Sequence, residues 1–188
     1  MKKLMIALAV AAMAAGVQAA AWTWGVSATS GIEKPGTEVD LSSGTAYLFA
    51  DLTASQLNAI VSDFAAGTYA AAGYEQTSPV ADGVITKVNF DDSRTVGTSV
   101  NWTMLVTTKI DGDDYLFISS PLTKSRQAEG KNVKITFSLY DDSSAAASLA
   151  SAGYSGAGWY QAEAIPEPTT GLLVLLGVAG LALSRRRA

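Results

Sequence analysis

With 188 residues, 13 Lys and Arg against 17 Asp and Glu, and neither histidine nor cysteine, the chain excludes whole classes of chemistry before any motif is read. Ser-His-Asp and Cys-His catalysis, His-ligated zinc, an imidazole pH switch and a disulfide framework all lack their essential residue. The acidic balance is a poor match to phosphate backbones or anionic headgroups, so nucleic acid is not expected as a partner.

The opening stretch, MKKLMIALAVAAMAAGVQAAAWTWG, has the three parts of a secretory signal. Lys2 and Lys3 lead an apolar core from Leu4 to about Gly16, followed by small residues at Val17 and Ala19. Cleavage is expected between Ala19 and Ala20, with Ala21 as a second choice. An uncleaved anchor is disfavoured, because an apolar core of about 13 residues falls below the roughly 17–25 that a spanning helix needs. The remaining body, residues 20–165, carries 8 basic and 16 acidic residues, a net charge of −8. Its length suits one domain with a real core and is short for two.

Along that body the hydrophobic period is mostly two. AAWTWGVSA alternates Trp22, Trp24 and Val26, and TAYLFA is a weaker strand of the same kind. One helix, about 53–66, then interrupts the pattern. Thr53 is its expected N-cap, Gln56 the capping-box partner, and Leu52 a staple to Leu57. Leu57, Ile60, Val61 and Phe64 form its buried stripe, and Gly67 ends it. YAAAGYEQTSPVADG reads as a surface loop, and GVITKVNF as a further strand.

SVNWTMLVTTKI places Val100, Trp102, Met104, Val106, Thr108 and Ile110 on one face, as in a half-buried strand, with Asn101, Thr103, Leu105, Thr107 and Lys109 on the other. The Asp-Gly pair before YLFISS predicts a hairpin over residues 99–120. KNVKITFSLYDD alternates Val133, Ile135, Phe137 and Leu139, DDSSAAASLASAGYSGAG reads as a flexible loop, and GWYQAEAI as the last strand. Pairing of the first and last strands is plausible on this pattern. The fold expected is mainly β, an antiparallel sheet or sandwich with one packed helix, flanked by an N-terminal signal helix and a short C-terminal transmembrane helix.

Few residues in the body suggest chemistry. Asp91 with Asp92, Asp141 with Asp142, and the group Asp111, Asp113 and Asp114 could in principle supply a glycosidase carboxylate pair or a calcium site. A turn role, with each Asp satisfying local backbone donors, explains them more simply. An EF-hand reading of the last group fails, because Tyr115 stands where a third oxygen ligand is required and no Glu closes the loop. No cofactor is expected. Aromatic side chains could form a flat sugar-stacking platform, with Tyr154, Trp159 and Tyr160 its expected exposed members beside a Gly-rich loop; core packing is the alternative.

The chain ends IPEPTTGLLVLLGVAGLALSRRRA. The apolar run from Gly171 to Leu183 would reach roughly 20 Å as a helix, against a hydrocarbon core of about 30 Å. Extended over about 169–184 it could span with local thinning and snorkelling arginines. Arg185, Arg186 and Arg187 favour the cytoplasmic side as a stop, which leaves the body outside. Two prolines fix φ and remove backbone donors, so Pro166, Glu167 and Pro168 stay extended, as a protease cleft requires. A permanent anchor is the bland alternative.

This tripartite end, within residues 165–188 and with the sorting signal proper at 166–188, resembles the PEP-CTERM sorting signal of Gram-negative bacteria. It lacks the Leu-Pro of a Gram-positive sortase signal, and a lipid-anchor signal would not end in arginines. The resemblance implies that Pro166, Glu167 and Pro168 are recognised by exosortase, a membrane-embedded protease, and that the tail is cut near them. It implies further partners in the export machinery and a transient stay in the inner membrane before delivery to the cell surface or extracellular matrix. It also implies a setting of biofilm matrix and exopolysaccharide, where an extracellular polysaccharide could be bound. On these grounds the chain is expected to be an exported, non-catalytic surface or matrix protein; a carbohydrate-binding module is the alternative, and a carboxylate-dependent glycosidase the third reading.

Overall fold

The computed structural model of the chain describes residues 21–26, 31–91, 93–128, 131–138 and 143–162. The expected signal helix and C-terminal transmembrane helix lie outside these residues, and among the described residues no helix is long and apolar enough to cross a membrane. The strands are β1 (Ala21–Val26), β2 (Ser43–Ala50), β3 (Gln76–Ala81), β4 (Val84–Ile85), β5 (Val88–Asp91), β6 (Ser99–Ile110), β7 (Asp113–Ile118), β8 (Leu122–Ser125), β9 (Val133–Phe137), β10 (Ser148–Leu149) and β11 (Gly158–Gln161). Helix α1 spans Ala54–Ala65, and a 3-10 turn spans Ala150–Ala152.

The strands form two sheets. The larger runs β10-β11-β7-β6-β2-β3-β4, with β8 on the β7 side of β6, and the smaller runs β5-β1-β9. Trp22, Trp24, Phe90, Ile135 and Phe137 of the small sheet share one apolar cluster with Leu48, Trp102, Met104, Phe117 and Trp159 of the large one. On the other face of the large sheet, Leu57, Val61 and Phe64 of α1 meet Phe49, Leu105, Leu116, Ile118 and Tyr160. The protein is therefore mainly β with a packed helix, as the periodicity predicts.

The helix follows its sequence signals closely. Thr53 Oγ1 accepts from the Gln56 amide at 3.3 Å, and the Thr53 amide donates to Gln56 Oε1 at 2.9 Å, closing the capping box. At the far end Gly67 takes φ 68°, and its amide donates to the Phe64 carbonyl. Thr53→Ala is expected to destabilise the fold by about 1 kcal/mol. Urea unfolding checks this; a cost below a few tenths would mean the cap is dispensable.

The hairpin also forms as expected. Asp111 and Gly112, with φ of 54° and 98°, connect Ile110 to its partner Asp113 in a two-residue turn. Its first strand is not half-buried throughout, however. Thr103 and Leu105, on the nominally polar face, are buried, Leu105 within the cluster beneath α1. Only the ends of β6 behave as a one-sided strand.

Four further expectations are corrected. First, the sheets are not wholly antiparallel, since β1 runs parallel to β9 and β10 parallel to β11. Second, the first and last strands do not pair. β1 lies between β5 and β9, and β11 between β7 and β10.

Third, GVITKVNF is two strands rather than one. Val84 and Ile85 extend the large sheet, and after Thr86 and Lys87 the chain enters the small sheet beside β1. The period of two breaks at the crossing, since Ile85 and Phe90, five residues apart and so on opposite faces of an unbroken strand, are buried in the same core. Fourth, residues 76–81, read as loop, form β3, which turns through Asp82 and Gly83 into β4. Pro79 is compatible with this strand because β4 pairs only with Val80 and Ala81, leaving no outer ladder at the proline.

Candidate functional site

The proposed sugar platform does not exist as a surface. Trp159 and Tyr160 are each only 1% exposed and, as neighbours on a strand, they point into opposite cores. The Trp159 indole N–H donates to the carbonyls of Ser143 at 2.8 Å and Glu33 at 3.2 Å, tying the segment before β11 and the Glu33 bridge to the core. The Tyr160 hydroxyl accepts from the amides of Ser155 (3.0 Å) and Gly156 (3.1 Å) and donates to the Gly156 carbonyl. Tyr154 stacks on it with ring centroids 6.1 Å apart, and burial raises the Tyr154 phenol above its ordinary value. The expected flexible Gly-rich loop is thus pinned by two aromatic side chains, because its backbone groups find partners on their polar tips.

The acidic group at the hairpin does not converge either. Asp113 and Asp114 are adjacent on β7 and face opposite ways. Asp113 Oδ2 accepts from Gln161 Nε2 at 3.0 Å, while the Asp114 carboxylate pairs with Lys109 Nζ at 2.9 Å. Asp111 holds the turn itself. Among the described residues no three acidic side chains gather as metal ligands, so the calcium reading of Asp111, Asp113 and Asp114 finds no geometry. The glycosidase reading needs a second carboxyl group facing Asp113 or Asp114 across a cleft, and the partners found are an amide and an ammonium group. Burial, then the nearby Asp113 and Asp111 charges, raise the Tyr115 phenol.

A concave site occurs elsewhere, on the outer face of the large sheet where α1 stops. The segment after the helix, from Gly67 to Gly73, arches back over the sheet and leaves a hollow on each side of Tyr69. One, of about 360 Å³, is lined by Tyr47, Phe64, Tyr69, Thr107, Asp114 and Ala162 among others. The second, of about 290 Å³, runs along the helix past Phe49, Ile60 and Asp63 and shares Tyr69 and Ala70.

The aromatic rings of this region are grouped. Tyr47 lies 5.2 Å from Tyr74, which is 40% exposed, and Phe64 meets Tyr69 edge-on at 6.4 Å. Burial, reinforced by Tyr47, pushes the Tyr69 phenol up to about 12. Its hydroxyl is shut off from water and has no hydrogen-bond partner among the described residues. Sequence reasoning passed over Tyr69 and Tyr74 as site residues. The available signal was three tyrosines on either side of an amphipathic helix, two of them in a segment rich in Ala and Gly.

The class that emerges is an acidic β domain whose last strand leads directly into a terminal sorting segment. Residues 164–187 match the PEP-CTERM protein-sorting motif. Such a motif marks an exported bacterial protein for the cell surface through exosortase, a membrane protease. Pro166, Glu167, Pro168 and Arg185, Arg186 and Arg187 fall within that match, outside the structurally described residues, as do the cleavage-site pair Ala19 and Ala20, Asp92, Asp141 and Asp142. Neither the curated proteins nor the solved structures give a significant match to the chain.

Proposed function

We propose that the chain is a non-catalytic protein, exported with loss of residues 1–19 and held in the inner membrane by its C-terminal tail. Exosortase then processes it near Pro166–Pro168, and the body, residues 20–165, is displayed at the cell surface or in the extracellular matrix of a Gram-negative bacterium. The observation that carries this reading is the sorting motif at 164–187, three residues after β11 ends at Gln161. Processing at the motif would leave every described strand of the body whole.

The non-catalytic part rests on chemistry. The chain has no histidine or cysteine, and Asp113 and Asp114 face opposite ways and are committed to Gln161 and Lys109. Intact-mass spectrometry of the protein from its native cells tests the sorting reading. The expected mass lacks both the leader and the Arg187-Ala188 terminus. An intact C-terminus on most chains at steady state would overturn it.

A further inference from the structure

Beyond this sorting role, and independently of it, the geometry points to the hollow between Tyr47, Tyr69 and Asp114 as a binding site for a short stretch of neutral polysaccharide. The reasons lie in the lining. The hollow has aromatic side chains, Tyr47, Phe64 and Tyr69, and a polar end made by the Thr107 hydroxyl and the Asp114 carboxylate. Sugars present faces of weakly hydrated C–H groups and edges of hydroxyl groups. The first suit the electron-rich faces of aromatic rings, and the second suit a carboxylate acceptor.

Its volume of about 360 Å³ is at the small end of the ligand-pocket range of about 300–1,000 Å³. A chain longer than the first hollow could continue into the second, past Tyr69 and Ala70, which both hollows share.

Two features select the ligand. The first is charge. Among the described residues Asp114 is the one ionisable side chain besides tyrosine lining this hollow, and Lys109 pairs with it, in a body whose net charge is −8. An acidic polysaccharide would be repelled, whereas a neutral one meets no such penalty. The second is the Tyr69 hydroxyl. A buried donor left without a partner is costly, and a ligand hydroxyl that reached it would relieve that cost. A purely apolar ligand would leave that donor unsatisfied.

The test uses the full chain in detergent micelles, titrated by calorimetry with neutral hexasaccharides (cello-, xylo-, manno- and maltohexaose), and with hexagalacturonate as the acidic counterpart. At least one neutral hexasaccharide is expected to bind, and hexagalacturonate to bind at least tenfold more weakly. Tyr69→Phe, which keeps the ring and removes only the hydroxyl, is expected to weaken binding at least fivefold, and Asp114→Ala at least tenfold. Unchanged far-ultraviolet circular dichroism would show that both variants fold; if Asp114→Ala did not, Asp114→Asn would take its place with the same fivefold criterion as Tyr69→Phe. Absence of binding by all four neutral probes at 10 mM would overturn the proposal. So would equal affinity in the folded variants, or preference for hexagalacturonate.

Discussion

Replacing Trp102 by alanine is expected to cost about 3–5 kcal/mol of folding stability, the range for truncating a large buried aromatic. Trp102 is fully buried on β6 and stands where the two sheets meet. Its ring makes edge-on contacts with Trp22 of β1 at 5.1 Å and with Phe90 of β5 at 5.8 Å. The Arg94 guanidinium lies 5.5 Å from its centroid, and the same arginine pairs with Glu75, just before β3. Truncation therefore opens a cavity at the seam and removes the surface on which Arg94 rests. In a domain of ordinary stability, about 5–15 kcal/mol, that is a third or more of the total in most cases.

Trp102→Phe separates packing from polarity. The indole N–H of Trp102 has no hydrogen-bond partner among the described residues, so phenylalanine removes an unsatisfied donor while keeping most of the ring. Its cost is expected to be well under half that of alanine. Urea unfolding followed by circular dichroism measures both. Equal losses in the two variants would show that the seam does not depend on the volume of this side chain.

The second large effect is on processing. Changing Pro166, Glu167 and Pro168 together to alanine is expected to leave Arg187-Ala188 on nearly every chain and to keep the protein in the membrane fraction after carbonate extraction. Proline lacks the amide hydrogen and disfavours helical conformation in the residue before it. Three alanines remove that constraint and favour helix, so the apolar tail could extend back toward the body and the segment would no longer be held open for a protease. Glu167→Gln alone distinguishes recognition of charge from recognition of shape. Normal processing of the triple variant, seen by intact mass, would remove these residues from the recognition step.

The local signals in the sequence proved sufficient wherever the stabilising contacts are local. The Thr53–Gln56 cap, the Gly67 stop and the Asp111-Gly112 turn depend on neighbours a few residues away, and each forms as its residues predict. Long-range pairing was not legible. Strict alternation in GVITKVNF would put Ile85 and Phe90, five residues apart, on opposite faces, and nothing in it says that they reach one core from two different sheets.

Burial on both faces of the large sheet had the same effect on the site. Trp159 and Tyr160 suggested a platform because they follow a Gly-rich run, and it is the covering of β11 on both sides that places them inside. The hollow at Tyr47 and Tyr69 exists because α1 is too short to cover the whole sheet. That is a difference of two lengths, one set by the cap and stop, the other by β6 and β2. The sorting motif was legible for the opposite reason. It is a linear signal of consecutive residue types, and its recognition does not depend on what the rest of the chain packs against.

Ala162, the residue after β11, lines the 360 Å³ hollow, and Pro166 follows it by four peptide steps. Four residues fully extended reach at most about 14 Å. On the proposed sorting route, the hollow would lie within that radius of the processing site, near the bilayer and its enzyme, while the tail is still attached. A long polymer chain has little room to thread there. On that route, release would do two things at once, freeing the protein and opening its hollow to large ligands, and the short leash would restrain earlier engagement.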